Sequence, residues 1–459
     1  MAGIGFELKK LFDRETMTSS IVGSIYAAFS TLGASVFFAI ILLSIRLVMD
    51  NSSIAETEST FFVSSTTYVF LSVILVSASF NNVLSRYISD CIFQKRDSDI
   101  SAAVFGSIAM SSLVEGVFLS VYCILMYFVD GIEIEFIILF YMLGVLTISG
   151  YILMTFLSAL KEYKNITYSF LIGMIFAIMT FFILMNVAGF HIIIASYTAL
   201  AVGFFVIVFF LINCCLKAFG RPSDKYFEFL KYFKKYPLLV VSGLSYMIGF
   251  YISSIIYWFF SDMSVVSGVF RTAPLYDLAV FLAVVINLPS LVIFMVKVET
   301  VFYGSYVEYI SAINNEHYSL IEKARKKMVS VIQNQLFFLY EVQLVITLVL
   351  ICVINVSFPY LNISAQSLNM FLLIGMGLYC TFCMNFTTIF LYYFEDYKSA
   401  CAGPITFVVI VTLLSIYTVI FNQTYYPIPI LVGGVVSWII SYVALGRRMK
   451  AINGFLMCK

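Results

Sequence analysis

Apolar residues in this chain do not alternate with polar ones; they run on continuously, twelve times, between polar connectors. The runs cover Ile21–Met49, Phe61–Leu84, Ala102–Val129, Phe136–Leu160, Ile166–Val187 and Ile192–Leu216. After a basic stretch come Pro237–Phe260, Pro274–Val296, Leu336–Val356, Leu368–Phe394, Ile405–Phe421 and Ile428–Leu445. Each can cross a hydrocarbon core of about 30 Å, which takes roughly 20 helical residues. Barrel strands would alternate in polarity, whereas lipid requires each continuous run to satisfy its backbone within itself. The pattern predicts an all-α integral membrane protein with twelve transmembrane helices. At 62% hydrophobic and 11% charged residues, the composition excludes a soluble globular domain.

Charge then orients the spans. All but two of the 26 Lys and Arg residues fall at the N-terminus, in even-numbered connectors or at the C-terminus; the exceptions are Arg46, inside the first run, and Arg271. Odd-numbered connectors instead collect Asp50, Glu56, Glu58, Asp130, Glu133, Glu135 and Asp262. Cytoplasmic loops retain Lys and Arg, so both termini are expected in the cytoplasm. The first run is too long for a signal-peptide core and is read as a retained span.

The connector richest in cations divides the chain: an N-terminal six-helix bundle over residues 1–216, a basic cytoplasmic linker over 217–236, and a C-terminal six-helix bundle over 237–459. Transporters often pair repeats in this way, with the substrate path at their interface. Ile4, Leu8, Leu11 and Phe12 predict a short interfacial helix in residues 1–14. Residues 304–330 predict a cytoplasmic amphipathic helix, lying along the membrane or extending the ninth span inward.

Ionisable residues at membrane depth are costly and become functional candidates. Glu115 lies halfway along the third span, with Ser107 and Ser111 one and two turns before it on the same face. That strip can line an aqueous cavity where Glu115 binds a proton or cation, or Glu115 can serve packing. Glu341 in the early ninth span is read as snorkelling, salt-bridged or ion-coupling. Arg46 can snorkel outward or face substrate. Asp277 follows Pro274 in the first turn of the eighth span, as a cap does, and Pro289 should kink that span as a gate would. Tyr246, Phe250 and Tyr257 share one side of the seventh span near Tyr251 and Trp258; they suit sugar rings, an interfacial belt or core packing.

Other chemistry is weakly represented. Cys380 and Cys383 form a CxxC inside an apolar run, and with only two His residues metal ligation is not expected. Asp97-Ser98-Asp99 is the DxD string of glycosyltransferases, but no nucleotide-binding fold surrounds it. No extramembrane segment is long enough for a catalytic domain. Neither enzyme activity, cofactor nor nucleic-acid partner is expected; the lipid bilayer is the solvent.

Several strings resemble the PelG family, membrane components of Pel exopolysaccharide secretion. They are Met1 to Leu11, then Ser85-Arg86-Tyr87-Ile88, then Leu275-Tyr276-Asp277 with Phe281-Leu282-Ala283, Pro289, Phe294, Glu299-Thr300, Phe302 and Tyr306. A late Tyr393-Phe394-Glu395-Asp396 is similar, with Glu395 where the family pattern has Asp. The resemblance implies a MOP-superfamily (MATE-like) flippase fold, with two six-helix bundles around a cavity open alternately to each side. It also implies passage of an amino-sugar-rich polysaccharide or its lipid-linked precursor through a bacterial inner membrane. Its implied partners are a cytoplasmic glycosyltransferase and a cyclic-di-GMP receptor. Two other readings stand beside it: a drug or organic-cation antiporter of the same architecture, and a scaffold anchoring a polysaccharide synthase.

Overall fold

The computed structural model describes residues 56–160, 163–357, 364–421 and 425–457. The predicted interfacial helix, the first span and Arg46 lie outside them. Within the described residues, eleven helices are long and apolar enough to cross a membrane, and they correspond to the second through twelfth predicted runs. In chain order the first five long helices are α1 (Glu56–Phe93), α2 (Asp97–Phe128), α3 (Ile134–Leu160), α4 (Tyr163–Asn186) and α5 (Ile192–Phe219). The short α6 (Leu230–Lys235) lies in the basic linker, and α7 (Pro237–Phe260) follows. A hairpin of β1 (Val265–Ser267) and β2 (Phe270–Thr272) departs from the all-helical expectation. Then come α8 (Pro274–Asn287), α9 (Pro289–Ile293), a π-helical turn at Phe294–Glu299, and α10 (Thr300–Asn315). The chain closes with α11 (Tyr318–Ser357), α12 (Ala365–Tyr393), α13 (Tyr397–Phe421) and α14 (Ile428–Met457).

The helix ends follow from local chemistry. Asp97 and Asp99 occupy the first turn of α2, where carboxylates complement the helix dipole. Pro274 opens α8, and Asp277 Oδ2, one turn in, accepts the N–H of the cap residue Ala273 at 3.1 Å. Ser364 caps α12 by accepting the Ser367 N–H at 3.1 Å. The eighth predicted span is interrupted at Leu288, because Pro289 has no N–H to donate to the preceding turn. Residues 304–330 are not one amphipathic helix: α10 ends at Asn315, and the remainder begins α11, which runs for 40 residues into the ninth predicted run.

The chain divides into two compact units. The first holds residues 56–247 and the hairpin Val265–Thr272; the second holds residues 248–264 and those from 273 onward. Helix α7 therefore contributes its first half to one unit and its second half to the other. In the first unit α4 meets α5 where Gly173 and Gly203 face each other, and any added Cβ would strike the opposing backbone. In the second unit Gly377 and Gly434 play the same part between α12 and α14. Small residues at crossings suit membrane helices, whose association relies on close packing. The hairpin pairs Val265 with Thr272 and Ser267 with Phe270, turning through Gly268 at φ +60°. Its fully buried Phe270 ring meets Phe61, Tyr68, Tyr122 and Phe140 of the first unit at 5.1–6.1 Å.

Cation-bearing connectors meet within each unit. Asp99 is held by Lys225 at 3.1 Å and Arg96 at 3.2 Å, joining the α1–α2 connector to the one after α5. In the second unit Arg325 Nη1 donates to the Met449 carbonyl at 3.0 Å, and Arg448 Nη2 donates to that of Phe394 at 2.9 Å.

Candidate functional site

In the first unit, Ser107, Ser111 and Glu115 all lie on the buried face of α2. Each is fully buried, so the strip does not line an open aqueous cavity in this conformation. Ser107 and Ser111 donate to carbonyls of their own helix, those of Val104 and Ile108. Glu115 is different. Its Oε1 accepts from Ser72 Oγ of α1 at 2.5 Å, while its Oε2 is buried with no hydrogen-bond partner among the described residues. Ser72 has one proton and two acceptors in reach, Glu115 Oε1 and the Val69 carbonyl at 2.9 Å. Two arrangements satisfy this geometry. With Glu115 ionised, Ser72 donates to the carboxylate and abandons Val69; with Glu115 protonated, the carboxyl donates to Ser72, which donates onward to Val69. The site can therefore gain or lose a proton by turning one hydroxyl.

Asp277 in the second unit is held by more donors. Both its oxygens accept from Trp258 Nε1, at 3.0 and 2.8 Å, and Oδ2 also takes the Ala273 N–H. Around it Tyr276 donates to Ser253 Oγ at 3.0 Å, and Tyr257 shares a 2.9 Å hydrogen bond with Thr418. Tyr426 donates to Asp262 at 3.0 Å. Tyr257 and Trp258 are buried in the second unit and do not form an interfacial belt. Tyr246, half a helix earlier, is half-buried, as is Pro289, and Glu341 is exposed on α11.

A second polar group in that unit was missed by the sequence reading. Asn287, at the end of α8, lies against Gln343 and Thr347 of α11 and the Gly375 carbonyl of α12, and all three polar side chains are buried. The available signal was Gln343 and Thr347, four residues apart inside an apolar run, with Asn287 just before a proline.

The remaining motifs resolve structurally. The Asp99 carboxylate of the DxD string is occupied by Ser223 at 2.8 Å and by the two cations. Cys380 and Cys383 are buried on α12. Among the described residues, no group of three His, Cys, Asp or Glu side chains could hold a metal ion.

Similarities to known proteins agree with this architecture. A multidrug resistance MATE family transporter of the MOP superfamily, in its outward-facing conformation, aligns over 94% of this chain and 96% of its own, at 13% identity and a TM-score of 0.66. A MATE protein in complex with MaL6 aligns over 94% and 97%, at 14% identity and a TM-score of 0.64. An inward-facing MATE family transporter aligns over 91% and 99%, at 16% identity and a TM-score of 0.58. At such identities the likeness concerns the fold alone. A search of curated proteins found no match. The profile of PelG, described as "Putative exopolysaccharide Exporter (EPS-E)", matches residues 1–456. The chain belongs to this family.

Proposed function

We propose that this PelG-family protein carries an amino-sugar-rich exopolysaccharide, or its lipid-linked precursor, across a bacterial inner membrane by alternating access. The observation that carries the reading is the match of residues 1–456 to an exporter family, in a chain with a MATE-like fold. The proposed topology has twelve spans in two six-helix halves, divided by the linker over 217–236, with both termini cytoplasmic. The meeting of Arg96 and Lys225 on Asp99, and of Arg325 and Arg448 with neighbouring connectors, supports placing these connectors on one side within each unit.

In this reading Glu115 is the coupling carboxylate. Taking up a proton removes a buried charge and redirects Ser72 from Glu115 to Val69, so that the contact between α1 and α2 changes with proton load. The protein would work with a cytoplasmic glycosyltransferase and a cyclic-di-GMP receptor as partners. Glu115→Gln tests the assignment in cells that secrete the polymer. We expect at least a tenfold fall in secreted polymer, with the protein present at wild-type level and still assembled with its partners. Output that is unchanged, and that still responds to a collapsed proton gradient as wild type does, would make the carboxylate structural. It would then favour the scaffold reading.

A further inference from the structure

The β1–β2 hairpin packs with the first unit, whereas the chain on either side of it, up to Ser264 and from Ala273, belongs to the second. Its docking is specific. The fully buried Phe270 ring fills the aromatic socket of α1, α2 and α3. Tyr68 Oη donates to the Arg271 carbonyl at 2.9 Å and accepts the Arg271 N–H at 3.2 Å. Asp130 Oδ2 accepts the Val269 N–H at 2.7 Å, and the Thr272 hydroxyl lies 3.3 Å from that of Ser64. A two-stranded hairpin with three residues in each strand is marginal by itself, so the socket holds its shape. Thr272 is thus anchored in the first unit, and the residue after it is anchored in the second, where Asp277 Oδ2 holds the Ala273 N–H at 3.1 Å. One peptide, about 3.8 Å from Cα to Cα, joins the two anchors and leaves no slack.

We propose that residues 265–272 are a detachable outer strap, docked during one half of the transport cycle and drawn out of the first-unit socket during the other. The inference rests on the alternating-access reading, in which one helix bundle rocks against the other. With a single peptide between the anchors, a movement longer than that peptide has to free one of them. The anchor in α8 is continuous with a membrane span, whose backbone groups stay paired because lipid offers them no other partners. The hairpin carries only itself. In the proposed topology it lies in an outer connector, where water replaces each hydrogen bond as it breaks. The hairpin is therefore the end that yields, and Phe270 is the side chain that sets how firmly it is held.

The test locks the strap in the full-length protein. Ser64→Cys combined with Thr272→Cys places two thiols where the hydroxyls now stand 3.3 Å apart, within reach of a disulfide once the side chains turn. In secreting cells, oxidation with copper phenanthroline should cut polymer output about tenfold or more, dithiothreitol should restore it, and neither single variant should respond. A cross-linked protein that secretes as well as its reduced form would overturn the strap and leave the transport reading in place. A second measurement needs no cargo. Thr272 is 6% exposed when docked, whereas Val266 on β1 is 61% exposed. We expect a membrane-impermeant maleimide added outside living cells to modify Thr272→Cys completely, but about tenfold more slowly than Val266→Cys. Adding Phe270→Ala to each should bring the two rates within about twofold, because the socket loses its anchor. A Thr272→Cys that stays unlabelled while Val266→Cys reacts would overturn the strap. A Val266→Cys that never reacts from outside would overturn it together with the topology on which it rests.

Discussion

Glu115 and Asp277 are both acidic residues inside spans, yet their surroundings differ. Asp277, in the second unit, receives Trp258 on both oxygens and a backbone N–H besides. Glu115, in the first unit, has one hydroxyl at Oε1 and, among the described residues, nothing at Oε2. A carboxylate surrounded by donors is fixed in position, and here it serves to start α8 and hold it against α7. One buried with a single, divided donor is poorly satisfied in either protonation state and can pass between them at small geometric cost. The second unit compensates elsewhere, with a neutral cluster of amide and hydroxyl groups at the Leu288 break. The carboxylate with a single donor and the neutral amide cluster thus lie in different units.

The comparison can be broken at its fixed end first. Trp258→Phe keeps an aromatic ring but removes the N–H that reaches both Asp277 oxygens, and should cost roughly 2–4 kcal/mol, read as a lowered unfolding midpoint. If the loss is negligible, Asp277 is not the anchored member of the pair. Asn287→Leu should cost roughly 2–3 kcal/mol, since it strands Gln343 and Thr347 donors in an apolar crossing; a stable variant would show the neutral cluster to be loosely held. Ser72→Ala should cost only about 1 kcal/mol or less, as buried hydrogen bonds between membrane helices do, while changing how polymer export depends on pH. A pH profile identical to wild type would leave Ser72 without a part in proton exchange. Glu395→Asp offers a control remote from both acids. Residue 395 sits at φ +53° in a three-residue connection, a conformation that Asp tolerates better than Glu, so this change should stabilise by about 0.5 kcal/mol.

That last position shows how far sequence carried. The strings resembling PelG marked 395 as a departure, but only the backbone reveals that the position is a left-handed turn. Spans were legible because lipid demands continuous apolar helices, and Glu115, Asp277 and Pro289 stood out because polar groups and proline are costly there. The hairpin was not legible. Val265 to Thr272 read as an outer connector, and nothing local says that Phe270 fills an aromatic socket built from α1, α2 and α3. The cluster at Asn287 was overlooked for a related reason: uncharged Gln343 and Thr347 raise no alarm until three helices bring them together. Likewise, the expected aromatic belt assumed that Tyr257 and Trp258 face lipid, whereas packing turned them inward toward Thr418 and Asp277.

Reconstitution tests the transport claim most directly. Purified protein in sealed vesicles, given a labelled amino-sugar oligosaccharide or its lipid-linked form on one side and an imposed proton gradient, should move the label across faster than protein-free vesicles. Glu115→Gln should abolish the part of that movement that depends on the gradient. Vesicles holding folded wild-type protein that remain as impermeable as empty ones, or a Glu115→Gln protein that moves label and answers the gradient like wild type, would contradict it.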